Sequence, residues 1–232
     1  MATTVLLVRH GENPANLTHE FSCRRVDYPL TERGALQADQ AAEAIARRSP
    51  VALWTSPLVR ARQTAEAIAL ATGRPLRIVE SLREMNVGEL EGKIPQSEAW
   101  EIYSQVMTRW LAGDKEAAFP GGESRRQVGE RFQLLLTEAV QSYPEQTVVL
   151  VGHAGLFTHG LLAVCSVGDE RAFLSRDNSN ASISELKGQW TNGQLSVELV
   201  DWALVSHLSG DAAQLIESVP SHARASNLSS RL

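Results

Sequence analysis

The chain reads as an α/β protein, a three-layer α/β/α sandwich around a mostly parallel central sheet. Three observations predict this. Short apolar runs rich in β-branched residues stop abruptly at polar ones, as in "TTVLLVR" (3–9), "VALWTS" (51–56) and "TVVLVG" (147–152), the pattern of strands buried on both faces. Helical patterns separate these runs, and such alternation favours parallel strands with helices on either side. The 232 residues, 43% hydrophobic and 21% charged, suffice for one large domain.

After the first strand, Thr31 in "PLTERGALQADQAAEAIARR" can cap a helix, and Ala35, Ala38, Ala42 and Ile45 recur on one face. The second strand runs into "SPLVRARQTAEAIALATG". Here Ser56 is expected as N-cap, Pro57 in the first helical position and Gly73 as terminator, with Leu58, Ala61, Ala65 and Ile68 buried. "PLRIVE" (75–80) is a short strand, and "SLREMNVGELEG" reads as loop because two glycines and Asn86 break any period. Residues 97–111 predict a helix whose stripe of Trp100, Tyr103, Met107 and Trp110 is expected to pack in the core. A second helix, about 124–141, uses Val128, Phe132, Leu135 and Ala139. A helix follows the strand at 147–152, then strands near 182–187 and 195–200 joined by a "TNGQ" turn (191–194). Segment 93–121 separates strand–helix units and is expected to be a cap-like insertion in a domain spanning 1–209. The Ser- and Ala-rich tail, 210–232, is expected to be poorly ordered.

A net charge of −5 argues against nucleic-acid binding, so an anionic ligand must be met by a local cluster of cations. No apolar run is long enough to span a membrane, and Met1–Thr4 leads directly into a strand without a signal-peptide pattern, so a cytoplasmic location is expected. Cys23 and Cys165 fall in no metal-binding spacing and are expected to be reduced thiols.

The chemistry collects at strand ends, where open α/β sheets bind ligands. The first strand ends in Arg9-His10, the second leads to Arg60, and the strand at 147–152 ends in "VGHAG" with His153 before a helix. Two arginines and two histidines at one edge suit a phosphoryl group. Arginine offers bidentate charge-assisted hydrogen bonds, a helix N-terminus adds N–H donors, and a neutral imidazole can attack phosphorus. Glu84 in "LREMNVGELEG" is the expected acid for the leaving group, with Glu89 and Glu91 as competitors. No metal or other cofactor is expected. Arg24 and Arg25 read as an exposed pair, His159 and His207 as structural, and His19 and His222 as facing solvent.

This ordered set of motifs resembles the histidine phosphatase superfamily, also called the phosphoglycerate mutase-like family. The matching segments are "LLVRHGENPAN", "DYPLTERG", "TSPLVRARQTA", "LREMNVGELEG", "PGGES" and "VGHAG". The resemblance implies a phosphoglycerate mutase-like fold, with His10 as phospho-accepting nucleophile and Glu84 as proton donor. It also implies Arg9, Asn16, Arg60 and His153 as phosphate ligands. Ala154 stands where a glycine is common in the family, and its backbone can still donate. The implied activity is a metal-independent phosphatase acting on a small phosphorylated molecule through phosphohistidine, in a chain that could pair as a homodimer. A mutase that returns the phosphoryl group to another hydroxyl is the alternative. It is disfavoured because residues 93–120 hold only Lys93, Arg109 and Lys115 as cations. A non-catalytic module binding phosphorylated ligands is a third reading, disfavoured because His10 and Glu84 are both present.

Overall fold

The register between two neighbouring strands decides where the chemistry goes. Strand β1 (Thr3–Arg9) lies parallel to β4 (Thr147–Gly152) with Val5 opposite Val148 and Arg9 opposite Gly152. The next residues, His10 and His153, therefore leave the sheet side by side, and His10 N–H donates to Gly152 O at 3.0 Å. The computed structural model describes residues 2–94 and 98–217.

Along the chain follow α1 (Pro14–Thr18), α2 (Glu32–Ala46), β2 (Ala52–Thr55), α3 (Val59–Thr72), β3 (Leu76–Ile78), α4 (Glu98–Leu111) and α5 (Arg125–Ser142). After β4 come α6 (Ala154–Val164), α7 (Glu170–Ser175), β5 (Ile183–Thr191) and β6 (Gln194–Leu204). The sheet order is β3-β2-β4-β1-β5-β6, with the first four strands parallel and the last two antiparallel. Because side chains alternate across a strand, the sheet feeds two cores. Val5, Leu7, Trp54, Val148 and Leu150 join the buried residues of α4, α5 and α6. Leu6, Val8, Leu53, Val149 and Val151 join those of α2 and α3, which completes the three layers.

The α2–α3 layer is alanine-rich, with Ala41, Ala42, Ala61 and Ala65 all buried, so these helices contribute little volume and lie close to the sheet. Phe132 of α5 is fully buried on the other side, and its truncation to alanine should cost about 3–5 kcal/mol. Just after β1 the backbone passes so close to α2 that a Cβ on Gly11 would lie 2.3 Å from Gly34 O. Only glycine fits there, which explains why "RHG" ends as it does.

Several expectations are revised. Ala35 is exposed, and the buried face of α2 is made instead by Gly34, Gln37, Ala38, Ala41, Ala42 and Ile45. Helix α3 starts at Val59, past Pro57, and its N-cap Leu58 has no side-chain bond. The carboxylate of Asp27 accepts from Val59 N–H at 2.9–3.0 Å, and Ser56 Oγ accepts from Leu58 N–H one residue earlier at 3.3 Å. The strand expected over 75–80 shrinks to Leu76–Ile78, because a 3₁₀ turn occupies Glu80–Leu82. Gly73 ends α3 in the left-handed conformation with φ 66°, as read. The turn residues 192–193 join β5 and β6, although both strands are longer than expected.

The start of the tail is not loose. A 3₁₀ turn at Gly210–Ala213 buries Ala212 against α2, and Gln37 Nε2 donates to Ala212 O at 3.1 Å. The rest of the tail expectation, including His222, lies outside the described residues. Cys23 and Cys165 are free thiols, and burial raises their pKa values to about 12 and about 11. No helix among the described residues is long and apolar enough to cross a membrane.

Candidate active site

Arg9, His10, Asn16, Arg60, Glu84 and Ala154, read separately from the sequence, line one cavity of about 820 Å³ at the carboxyl ends of the parallel strands. His10 is 3% exposed. Its Nδ1 lies 2.7 Å from Gly11 O, while Arg60 Nε lies 3.1 Å from its Nε2. A carbonyl oxygen can only accept and a guanidinium N–H can only donate. The proton of the neutral ring therefore sits on Nδ1, and Nε2 presents a lone pair. Burial, reinforced by the charges of Arg60 and Arg9, holds the His10 pKa well below 6.5, so the ring stays neutral.

The two arginines are themselves anchored. Arg9 is 4% exposed and donates to Asn178 O. Burial brings its pKa down to about 10, against the opposing pull of Asp177 and Glu84. Arg60 donates through Nη2 to Ser22 O at 2.8 Å and through Nη1 to Ser22 Oγ at 3.0 Å, with Asp27 at 3.4 Å. Asn16 accepts at Oδ1 from Asn13 N–H at 3.0 Å and from Asn180 Nδ2 at 2.9 Å. With the oxygen engaged, its amide nitrogen is the group it can offer the cavity. Asn13 is 1% exposed on the same wall, and its Nδ2 has no partner among the described residues.

Glu84 reaches across to the start of α6. Its Oε1 accepts from Met85 N–H at 2.7 Å and Leu156 N–H at 2.8 Å, and Oε2 accepts from Gly155 N–H at 3.0 Å. The N-cap of α6, His153, makes no side-chain cap, so Glu84 caps this helix from outside. Its competitors stand elsewhere. Glu89 is exposed, and Glu91 accepts from the backbone N–H groups of Cys23, Arg24, Arg25 and Val26. Burial alone would raise the Glu91 pKa, but those four donors hold it below the usual carboxylate value. Glu91 thus clamps the loop that carries Ser22 and, through it, Arg60.

His153 is fully buried behind His10, with ring centroids 5.1 Å apart, and is not part of the cavity surface. Its Nε2 sits 2.8 Å from Ser56 Oγ, and its Nδ1 has no partner among the described residues. Burial and the nearby Arg60 depress its pKa well below 6.5. Ala154 does line the cavity, and since Glu84 takes the N–H groups of Gly155 and Leu156, Ala154 supplies the N–H left at this end of α6 for a ligand.

Sequence reasoning missed the loop before β5. Asn180 Nδ2 donates to His10 O at 3.1 Å, and Asn178 O receives Arg9. Because β5 runs antiparallel to β1, "DNSNAS" just before it falls at the edge where β1 ends, a pairing that no local pattern in the sequence announces. His19 and His159 also line the cavity; His159 is otherwise buried against Trp110, as a structural residue is, and His19 is partly exposed. Arg24 and Arg25 are exposed and lie away from it. The stripe of Trp100, Tyr103, Met107 and Trp110 is both core and cavity wall.

Among characterised proteins, the chain is 30% identical over 213 residues to glucosyl-3-phosphoglycerate phosphatase of Mycobacterium tuberculosis (strain CDC 1551 / Oshkosh), covering 88% of this chain and 93% of that protein. It is 29% identical over 212 residues to a metal-independent phosphoserine phosphatase of Arabidopsis thaliana, covering 89% and 84%. A probable phosphoglycerate mutase of Salmonella choleraesuis is also 29% identical, over 216 residues, covering 90% and 96%. A solved structure of the mycobacterial glucosyl-3-phosphoglycerate phosphatase with VO3 superposes with a TM-score of 0.74 at 30% identity, covering 87% of this chain and 99% of that one. The family profile of the histidine phosphatase superfamily (branch 1) matches residues 5–202. An Arg-His pair set by strand register, in a sheet of this topology and with these relatives, leads to one conclusion: the chain belongs to the histidine phosphatase superfamily.

Proposed function

We propose that this chain is a metal-independent phosphatase that hydrolyses phosphate monoesters through a phosphohistidine on Nε2 of His10. The observation that carries this reading is the pair of hydrogen bonds on His10, which leaves a lone pair on Nε2 among buried cations. Arg60 gives up its bond to Nε2 when substrate enters and turns its N–H groups to the phosphoryl oxygens. Arg9, Asn16 and the Ala154 N–H supply further donors, and His153 supports the ring of His10 from behind. The lone pair of Nε2 attacks phosphorus in line, and the P–O bond to the leaving group breaks with its electron pair staying on oxygen. Glu84 donates a proton to that oxygen. Glu84, now a carboxylate, takes a proton from water as the water oxygen attacks phosphorus. The P–N bond breaks, and its electron pair returns to Nε2.

Positive charge for the transition state comes from side chains of the chain itself, so the reading needs no metal ion. The mutase reading is served less well. Lys93, Arg109 and Lys115 do not line the cavity, and Arg109 is paired with Asp114 at 2.6 Å. The relatives named as phosphatases support the same choice.

The test is phosphate release against isomerisation, in EDTA, over a panel that includes phosphoserine, 3-phosphoglycerate with 2,3-bisphosphoglycerate, and para-nitrophenyl phosphate, with His10→Ala alongside. Chelator-resistant release that vanishes in the variant is expected. Isomerisation faster than release would establish the mutase, and binding without turnover would establish a non-catalytic module.

A further inference from the structure

We propose that the half of the cavity beyond Glu84 is a subsite for a bulky, ring-bearing leaving group, whose far end His159 reads as a hydrogen-bond donor. This rests on the phosphatase reading above and names the substrate class it implies. The cavity, about 820 Å³, is in the range of clefts that enclose drug-sized ligands, about 300–1,000 Å³. The phosphoryl centre around His10 uses only one end of it.

Helix α6 forms a continuous floor from that end. Gly155, whose N–H holds Glu84, and His159 stand four residues apart on one face, about 6 Å along the axis. A leaving group whose oxygen receives a proton from Glu84 therefore runs along α6 toward His159. Opposite lie Trp100, Tyr103 and Met107 of α4, with Trp110 at the His159 end. These rings form a connected wall: Trp100 and Tyr103 centroids are 5.2 Å apart, and Trp110 meets the His159 ring edge-on at 4.8 Å. Trp110 Nε1 is already spent on Ala117 O at 2.7 Å, so the ring is pinned and offers only carbon surface.

Arg125 pairs with Glu170, and Arg176, which donates to Trp202 O at 3.1 Å, stands at the rim. Two polar groups in the aromatic wall are unsatisfied. His159 is 8% exposed and Trp100 is 7% exposed, and neither His159 Nδ1 nor Trp100 Nε1 has a hydrogen-bond partner among the described residues. Burial, with a contribution from Arg125, lowers the His159 pKa to about 3, so the ring carries one proton. An enclosed lone pair costs less than an enclosed N–H, which places that proton on Nε2, the nitrogen left to the cavity. A carbonyl or hydroxyl oxygen on the leaving group would satisfy it.

Two fused-ring esters separate the parts of this proposal. 4-Methylumbelliferyl phosphate carries a carbonyl across the rings from the ester oxygen, whereas 1-naphthyl phosphate has similar bulk and no such acceptor. Phenyl phosphate and phosphoserine serve as the small references. In the wild type, KM for 1-naphthyl phosphate is expected to be about tenfold below that for phenyl phosphate, reflecting the extra apolar surface buried. His159→Phe keeps a ring against Trp110 and should raise KM for the umbelliferyl ester about five- to tenfold, leaving the naphthyl ester within about twofold. His159→Leu serves if the phenylalanine variant does not fold. Equal KM values for naphthyl and phenyl esters would overturn the subsite, as would phosphoserine being preferred to both. Equal changes for the two bicyclic esters would overturn the donor role of His159. If the wild type hydrolyses none of these esters, the phosphatase reading fails by itself. Quenching of the wall tryptophans by each ester then still reports whether the cavity favours the bicyclic ones.

Discussion

Arg60 donates through Nε to Nε2 of His10 at 3.1 Å, so a permanent cation stands against that lone pair. In the mechanism proposed above, phosphorus arrives at this nitrogen and the bond breaks in every catalytic cycle. Arg60→Ala should therefore lower kcat/KM by about 10²–10³, while Arg60→Lys, which cannot offer the same planar fork, should recover little of it. Steady-state kinetics with para-nitrophenyl phosphate decide this. A lysine variant close to wild type would show that charge alone suffices.

Glu84 has two jobs in this account, proton donor and outside cap of α6, and leaving-group chemistry tells them apart. Glu84→Gln should slow hydrolysis of phosphoserine, whose alkoxide needs a proton, by about 10²–10³. The loss should be far smaller for para-nitrophenyl phosphate, whose phenolate leaves unaided. A loss of equal size for both would mean that only the cap mattered. Gly155→Ala should resemble a partial Glu84 variant, because its Cβ would lie 2.7 Å from Glu84 Oε1.

Among the described residues three imidazoles are buried and neutral: His10, His153 and His159, the last with a pKa of about 3. Their folded values lie below the unfolded value of 6.5, so below pH 6.5 the unfolded state binds more protons. Stability is then full above pH 6.5 and falls as the pH drops toward the folded values. Each group contributes a slope of about 1.4 kcal/mol per pH unit in that window. Urea unfolding at pH 7.5, 6 and 5 should show this decline, and it should be shallower in His159→Phe. A flat profile would contradict the burial of neutral rings.

Glu91 acts at a distance from phosphorus. Removing it in Glu91→Ala leaves the N–H groups of residues 23–26 without their common acceptor and loosens Ser22, which holds the Arg60 guanidinium. The expected result is a KM raised about tenfold for every ester alike, with a lowered Tm. An effect confined to one substrate would place Glu91 in specificity instead.

The sequence displayed what is local and hid what is made by distant partners. The strand ends carrying Arg9-His10 and His153 were legible because buried strands seldom stop on such residues, and Thr31 caps α2 as its pattern predicts. The buried face of α2 was misread at Ala35 because Gly34 is set by its approach to the Glu12 backbone. Gln37 is set by bonds to Glu12 N–H and Ala212 O, which periodicity cannot reveal. The cap of α3 comes from Asp27, more than thirty residues away in sequence from Val59, so Ser56 looked like the obvious choice. Ser56 accepts only from Leu58 N–H, at 3.3 Å, and also sits against His153. Among the three acidic candidates motif position already favoured Glu84, and geometry agrees, since Glu84 and Glu91 both accept several backbone N–H groups and only Glu84 lines the cavity. His159 resembled an ordinary core histidine, and the role proposed for it depends on helix α4, whose approach no local pattern foretells.

The central claim is a covalent phosphoryl group on His10 Nε2, and trapping it is the direct measurement. Wild-type protein and His10→Ala are mixed with phosphorus-labelled para-nitrophenyl phosphate in EDTA, quenched in alkali within milliseconds, digested and mapped. An alkali-stable, acid-labile label is expected on the peptide containing His10, formed at least as fast as turnover and absent from the variant. Turnover without any label, or turnover that survives in His10→Ala, would contradict it.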